Sequence, residues 1–384
     1  MKTKLVLIVC TLLVITACDW KNSSSQITLK YISPQNDSFE LKASTDTIRF
    51  NLDEDIYNSV KSFNLFSTSF KEYISFYDAK SITIALYDFN SRVLVKKVPL
   101  KPVLQNEKPL KTGVFVKNFD TIIVTNGANL FLIDSSGKVK IKMSASDPSQ
   151  FPVSGGQYPP FFTDGCIFTS IRPNIDQESL ASVRNYKVLY KFDSRRSLVT
   201  KLFPLPKFYS DGYYGDNLFK YNHCINDKGQ LILSFWADSL IYQYDFNKGP
   251  TAFIGKSKYQ YNNIAATKKD SLRGKGDMKH FLMQDSYGPV LFDPYRKLYY
   301  RVFNLAISED EYAAKSWKKK QSLVILDENL RIIGNSSLTS ELSIATLVFS
   351  QQGVFSRINY DNEYAIEFIK LECNHIKNSF LVKN

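Results

Sequence analysis

His223 stands in the run Tyr221-Asn222-His223-Cys224, and a histidine facing an open channel can ligate a metal or carry a proton near neutral pH. The chain has three histidines, none within ligand spacing of His223, so a packed, hydrogen-bonded ring is the favoured reading. Asp211-Gly212-Tyr213-Tyr214-Gly215-Asp216 brings two carboxylates beside two glycines, without the spacing of a calcium loop. Ser154-Gly155-Gly156 does not open a helix and reads as a loop. Neither a Gly-x-Ser-x-Gly elbow nor a His-Glu-x-x-His pair occurs, and Cys166, Cys224 and Cys373 show no Cys-x-x-Cys spacing. No metal and no cofactor is expected.

Binding chemistry is better represented. Arg172, Arg301 and Arg357 each lie near the end of an expected strand, and Tyr158, Tyr209, Tyr213, Tyr214, Trp236 and Trp317 fall in loops or at strand ends. Aromatic faces with Arg or Asn donors nearby suit sugar rings, carboxylates or peptide termini. The competing role is packing, since the chain holds 23 tyrosines and 28 phenylalanines.

The elements that must position these residues are strands. Period-two alternation runs through the chain, as in Ile82, Ile84 and Leu86 or Val139, Ile141 and Met143. One unit recurs: a strand, an Asp-containing turn, a second strand. Its turns begin at Asp88, Asp134, Asp193, Asp245 and Asp327, with a weaker copy at Glu372–His375 between Ile366–Leu371 and Ile376 onwards. Another hairpin sits between each pair of turns, giving four strands per repeat and a period of roughly 45–50 residues, the signature of a β-propeller. The fold expected is all-β, a six-bladed propeller of four-stranded antiparallel blades. Ile27–Tyr31 and Thr47–Asn51 either close the ring against the last blade or begin a seventh; a β-sandwich is the other alternative.

Loop lengths add a second expectation. With strands lettered A to D from the axis outward, the A–B and C–D turns are short. The long connections 99–113, 144–157, 172–185, 204–217, 256–287 and 304–320 are all B–C or D–A links. These emerge on one face of the disc, where binding sites are built from elaborated loops on a rigid scaffold. Two insertions look helical: Ser308-Glu309-Asp310-Glu311 is a capping box ahead of Tyr312–Lys319, and Asp176–Val183 is weaker.

The first residues address the chain. Lys2 and Lys4 precede the apolar run Leu5–Ile15, too short to span a bilayer, and Ile15-Thr16-Ala17-Cys18 follows. The segment resembles a bacterial lipoprotein signal, which implies cleavage before Cys18 and acylation of that cysteine. Two or more acyl chains make a durable anchor. The expected divisions are a signal peptide (1–17), a lipidated polar tether (18–26) and a propeller domain (27–384). Without Lys2 and Lys4 the formal charge falls from +12 to +10. Export makes nucleic acid an unsuitable partner for that charge. The basic segments Lys268–Lys279 and Lys315–Lys320 read as solvated faces.

The signal, the length and outer hairpins such as Leu240-Ile241-Tyr242-Gln243-Tyr244-Asp245-Phe246 together resemble the Bacteroidetes-type exported lipoproteins with a six-bladed propeller. The particular family is the domain of unknown function 4221. The resemblance implies the fold and brings no catalytic residue with it. The function expected is a ligand-binding or protein-interaction module tethered through Cys18 to the outer membrane. Its partner would be a glycan, peptide or envelope protein. A propeller hydrolase or lyase, its residues gathered from separate blades, is the alternative. A structural subunit of an envelope complex is a third reading.

Overall fold

The computed structural model describes residues 27–35, 39–104, 112–147, 149–172, 180–245, 249–337, 342, 346–358 and 361–375. The signal and tether including Cys18, the start of the helix expected from Asp176, the turn residues 246–248 and the segment from Ile376 lie outside the described residues.

Strands β1 (Thr28–Lys30) and β2 (Phe39–Asn51) come first in sequence but do not begin the first repeat. That unit is β3 (Val60–Ser67), β4 (Glu72–Asp78), β5 (Thr83–Asp88) and β6 (Leu94–Pro99), each antiparallel to the next. The second is β7 (Gly113–Asn118), β8 (Thr121–Asn126), β9 (Asn129–Ile133) and β10 (Val139–Ser144). In the third, β11 (Phe151–Val153) and β12 (Phe161–Thr163) share the inner position beside β13 (Cys166–Arg172), followed by β14 (Lys187–Asp193) and β15 (Leu198–Pro204). The fourth is β16 (Tyr221–Ile225), β17 (Leu231–Phe235), β18 (Leu240–Asp245) and β19 (Gly249–Ile254), with β1 added in parallel at its outer edge. The fifth is β20 (Ser286–Asp293), β21 (Leu298–Asn304), β22 (Gln321–Leu326) and β23 (Ile332–Ser337). The last unit is β24 (Val348–Ser350), β25 (Gly353–Ile358) and β26 (Ala365–His375), completed on the outside by β2.

The arrangement is propeller-like and all-β. Inner strand β3 lies beside β7 and β16 beside β20, and β24 returns to β3. β2 belongs to the start of the chain and β26 to its end, so their ladder from Phe39–His375 to Asn51–Ala365 fastens the two ends together. This corrects the expected last hairpin. Glu372–His375 is the end of a continuous β26, and the fourth strand comes from residues 39–51. Ile27–Tyr31 contributes its strand to the fourth unit, not to closure.

Burial follows position. The second and third strands of a unit are covered by neighbours on both faces, as in β8 and β14, whereas outermost β10 is largely exposed. Aromatic rings fill the seams between units. Phe50 on β2 packs edge-on against Phe76, Tyr87 and Phe368 at 5.6, 5.7 and 6.0 Å, a geometry that suits the ring quadrupoles. The turn aspartates do what their chemistry allows: Asp88 Oδ1 accepts from the Asn90 and Ser91 backbone N–H groups, and Asp193 Oδ1 from those of Arg195 and Arg196.

Among the described residues five α-helices sit in B–C and D–A links: α1 (Lys101–Leu104), α2 (Leu180–Asn185), α3 (Gly215–Leu218), α4 (Gly276–Met283) and α5 (Glu309–Ala313). The capping box on α5 is formed, with Glu311 N donating to Ser308 Oγ at 3.1 Å and Ser308 N to Glu311 Oε2 at 2.8 Å. The helix stops at Ala313, and Lys315 adopts φ 57°, so the lysines expected in its last turn lie beyond it. Lys319 also departs from the expected solvated face. Its ammonium donates to the Phe281 and Gln284 carbonyls (3.0 and 2.6 Å) and to Ser286 Oγ (2.9 Å), closing the C-terminal end of α4. Burial pulls its pKa down to about 7. No helix among the described residues is long and apolar enough to cross a membrane.

Candidate functional site

A cavity of about 1380 Å³ occupies the axis, lined by the inner strand of every unit. The third unit does not keep its inner strand straight. Between β11 and β12, residues 154–160 leave the sheet and cross the channel. At one end a Cβ on Gly156 would lie 2.4 Å from the Phe63 carbonyl oxygen, and one on Gly155 3.5 Å from Ser62 Cβ, both in the first unit. At the other end, in the fourth unit, His223 Nε2 bonds the Pro159 carbonyl at 2.8 Å. The two glycines are required because the backbone passes against β3 with no room for side chains. This strap crosses the cavity, whose lining continues on both sides of it.

The half under the helical insertions is polar and charged. Arg172, at the last position of β13, is exposed and has no hydrogen-bond or carboxylate partner among the described residues. It stands close enough to Tyr158 and Lys220 to act on the ionisation of both. Lys220 Nζ donates to Asn217 Oδ1 at 2.8 Å and lies 5.0 Å from the centre of the Trp236 ring. Trp236 Nε1 in turn donates to Asn222 Oδ1 at 2.8 Å. Asp216, on α3, and Asp277, on α4, line the same mouth, and Asn217 Nδ2 donates to Asp277 Oδ2 at 3.2 Å.

The electrostatics follow from crowding. Burial lowers the Lys220 pKa, with Arg172 adding to the effect while Asp277 and Asp216 oppose it. Burial raises the Asp277 pKa, and the neighbouring Asp216 carboxylate raises it further. Tyr158 is likewise raised by burial, against the pull of Asn222 and Arg172. The arrangement can hold an anionic group between Arg172 and Lys220 and an apolar ring face against Trp236. Among the described residues no group of three His, Cys, Asp or Glu side chains is placed to hold a metal ion.

A family model described as a domain of unknown function, DUF4221, matches residues 38–337. The chain belongs to the DUF4221 family. Another member, from Bacteroides vulgatus, has a crystal structure that superposes with a TM-score of 0.75 at 20% identity, covering 88% of this chain and 99% of that one. Weaker similarity reaches a streptogramin B lyase (TM-score 0.38, 12% identity, 88% of this chain and 98% of that one). It also reaches the virginiamycin B lyase of Staphylococcus aureus (TM-score 0.43, 10% identity, 87% and 99%). At those scores neither bears on activity. A search of curated proteins finds no match.

In this DUF4221 chain the residues singled out from sequence separate into groups. Arg172 and Tyr158 line the channel, and Trp236 stands beside it over Lys220. Tyr214 is buried among Phe208 and Tyr209, and Tyr213 pairs its backbone with Thr267. Arg301 is fully buried away from the cavity, its guanidinium spent on the carbonyls of Ser239, Gly255, Phe235 and Asp238. Arg357 is buried as well and bonds Asn58. Trp317 is half exposed and stacks on Tyr312. His223 is the packed ring expected: Ser170 Oγ lies 2.8 Å from Nδ1, and burial lowers its pKa to about 4. Cys166, Cys224 and Cys373 are free thiols.

Sequence reasoning missed Lys220, Asn222 and Asp277. Lys220 immediately precedes the inner strand β16 and Asn222 is its second residue, so their place at the mouth was open to inference. Asp277 lies in a long insertion with no local motif to mark it.

Proposed function

We propose that this DUF4221 protein is a lipoprotein anchored in the outer membrane through acylated Cys18. Its six-bladed propeller would capture a carboxylate-bearing extracytoplasmic ligand at the helix-covered mouth of the channel. The observation that carries the reading is Arg172: an exposed guanidinium with no acidic partner among the described residues, sharing one mouth with Lys220 and the Trp236 ring. An unpaired guanidinium matches a carboxylate in shape and charge, and the aromatic face gives the rest of the ligand an apolar surface.

Titration of residues 18–384 with uronic-acid oligosaccharides, and with peptides bearing a free or amidated C-terminus, tests the reading. The expected result is saturable binding to an acidic member of the panel, weakened at least tenfold by Arg172→Ala with Lys220→Ala. Acidic and neutral members binding alike, or not at all, would overturn it. Membrane fractionation of Cys18→Ala tests the anchor, with release into the soluble fraction expected.

One observation favours catalysis as a second reading. Asp277, raised by burial and by Asp216, and Lys220, lowered by burial, stand at the same mouth, and pairs of this kind serve as general acid and base. Breakdown of a bound ligand that is lost in Asp277→Asn would establish the hydrolase or lyase.

A further inference from the structure

The other half of the channel, on the face of the short turns, has the opposite chemistry. Each of the six inner strands places one apolar side chain there: Leu65, Phe115, Phe162, Ile225, Phe292 and Phe349. Each lies no more than three residues from the end of its strand. All six are partly exposed, whereas Val114 and Val116 on either side of Phe115, and Asn64 and Phe66 on either side of Leu65, are buried between units. Leu65, Phe162, Ile225, Phe292 and Phe349 also pack against the apolar clusters between units, so each turns only part of its surface to the cavity. The strap crosses the inner end of this half, which leaves a concave, largely apolar recess on this side of it.

The rim carries an unpaired cation. Lys117 is exposed, its ammonium 4.5 Å from the centre of the Phe162 ring, and no carboxylate among the described residues pairs with it. Two of the acidic groups that border this half are taken. Asp227 bonds Lys297 at 2.7 Å, and Glu72 bonds Tyr295, Ser350 and Gln351.

We infer that this half of the channel is a second binding pocket, for a small molecule joining an aromatic or alicyclic ring to a carboxylate. The ring of six apolar side chains receives the hydrocarbon, and Lys117 receives the anion at the rim. A concave apolar surface with a single convergent polar group both holds and orients such a ligand. Ring faces around it allow the stacked and edge contacts aromatics prefer.

Calorimetric titration with 1-naphthoate and with neutral 1-naphthalenemethanol tests the assignment. Naphthoate is expected to bind at one site per chain. Lys117→Glu, an exposed substitution that leaves the fold intact, is expected to weaken it at least tenfold while changing naphthalenemethanol little. Phe292→Asp should weaken both, with its melting temperature measured alongside. Arg172→Ala with Lys220→Ala should change neither, because those residues lie beyond the strap. Absence of saturable naphthoate binding, or binding indifferent to Lys117→Glu, would overturn the inference. Loss in the Arg172 and Lys220 variant alone would also overturn it, by placing the ligand at the other mouth.

Discussion

Glu72, on the second strand of the first unit, accepts a hydrogen bond from Ser350 Oγ, at the end of the inner strand of the last, over 2.6 Å. The same carboxylate takes Tyr295 OH at 2.6 Å and Gln351 N at 3.0 Å through its other oxygen. Three units therefore converge on one buried anion at the seam where the ring closes. The β2–β26 ladder closes the outside of the same ring, so closure is secured at two radii.

The Glu72 contact predicts a stability effect without a binding effect. Removing a buried acceptor strands its donors, at about 1–3 kcal/mol for a neutral group and more for a charged one. Glu72→Ala is expected to destabilise by about 2–4 kcal/mol, and Glu72→Gln, which keeps one acceptor oxygen, by less. Urea denaturation measures both. Equal losses for the two variants would show that the anion's hydrogen bonds are not what matters there.

Arg301 makes a parallel case in the seam between the fourth and fifth units. Its Nε donates to Ser234 Oγ at 2.9 Å and Nη1 to Ser239 O at 2.8 Å, and the guanidinium lies 3.7 Å from the centre of the Tyr287 ring. Burial lowers its pKa to about 10, which leaves it protonated at neutral pH. Arg301→Ala is expected to cost about 3–5 kcal/mol, the range for uncoupling a buried charged network. Arg301→Lys should restore little, because one ammonium cannot replace a planar fork of donors. A lysine variant as stable as wild type would refute this account.

Arg301 also shows where sequence reading succeeds and fails. Its place on a second strand was legible, because alternation and turn chemistry are local, although it stands at the middle of β21 and not near its end. So were the turns at Asp88 and Asp193 and the capping box at Ser308. Which way the side chain points was not, since that depends on the neighbouring unit. Arg172 and Arg301 look alike in sequence, yet one faces the mouth and the other a seam filled with carbonyls. Closure was half legible: Thr47–Asn51 read as a strand that could close the ring against the last blade, as it does, but the turn expected at Glu372–His375 concealed the continuity of β26 through Cys373. The strap was hidden for a related reason. Phe151–Val153 is too short to announce an inner strand, and it shares that position with β12, each pairing with β13. Gly155-Gly156 and Pro159-Pro160 mark an excursion only once its two anchors are known.

One of those anchors is His223, and it predicts a pH dependence. The ring is fully buried, bonded to Ser170 Oγ and the Pro159 carbonyl, and burial holds its pKa at about 4 against an ordinary value near 6.5. A histidine depressed in the folded state binds its proton more readily when the chain unfolds. Its contribution is therefore constant above about pH 6.5, and stability declines as pH falls from there toward 4. The depression corresponds to about 3 kcal/mol across that window. His223→Gln, which retains a donor for Pro159, should flatten the decline when stability is measured between pH 7 and 4. An unchanged slope would assign it to other groups. Protonation would also force the ring to give up the Ser170 hydroxyl as a donor, so proteolysis within residues 154–160 should rise below pH 5 in wild type. In His223→Gln it should stay constant over the same range.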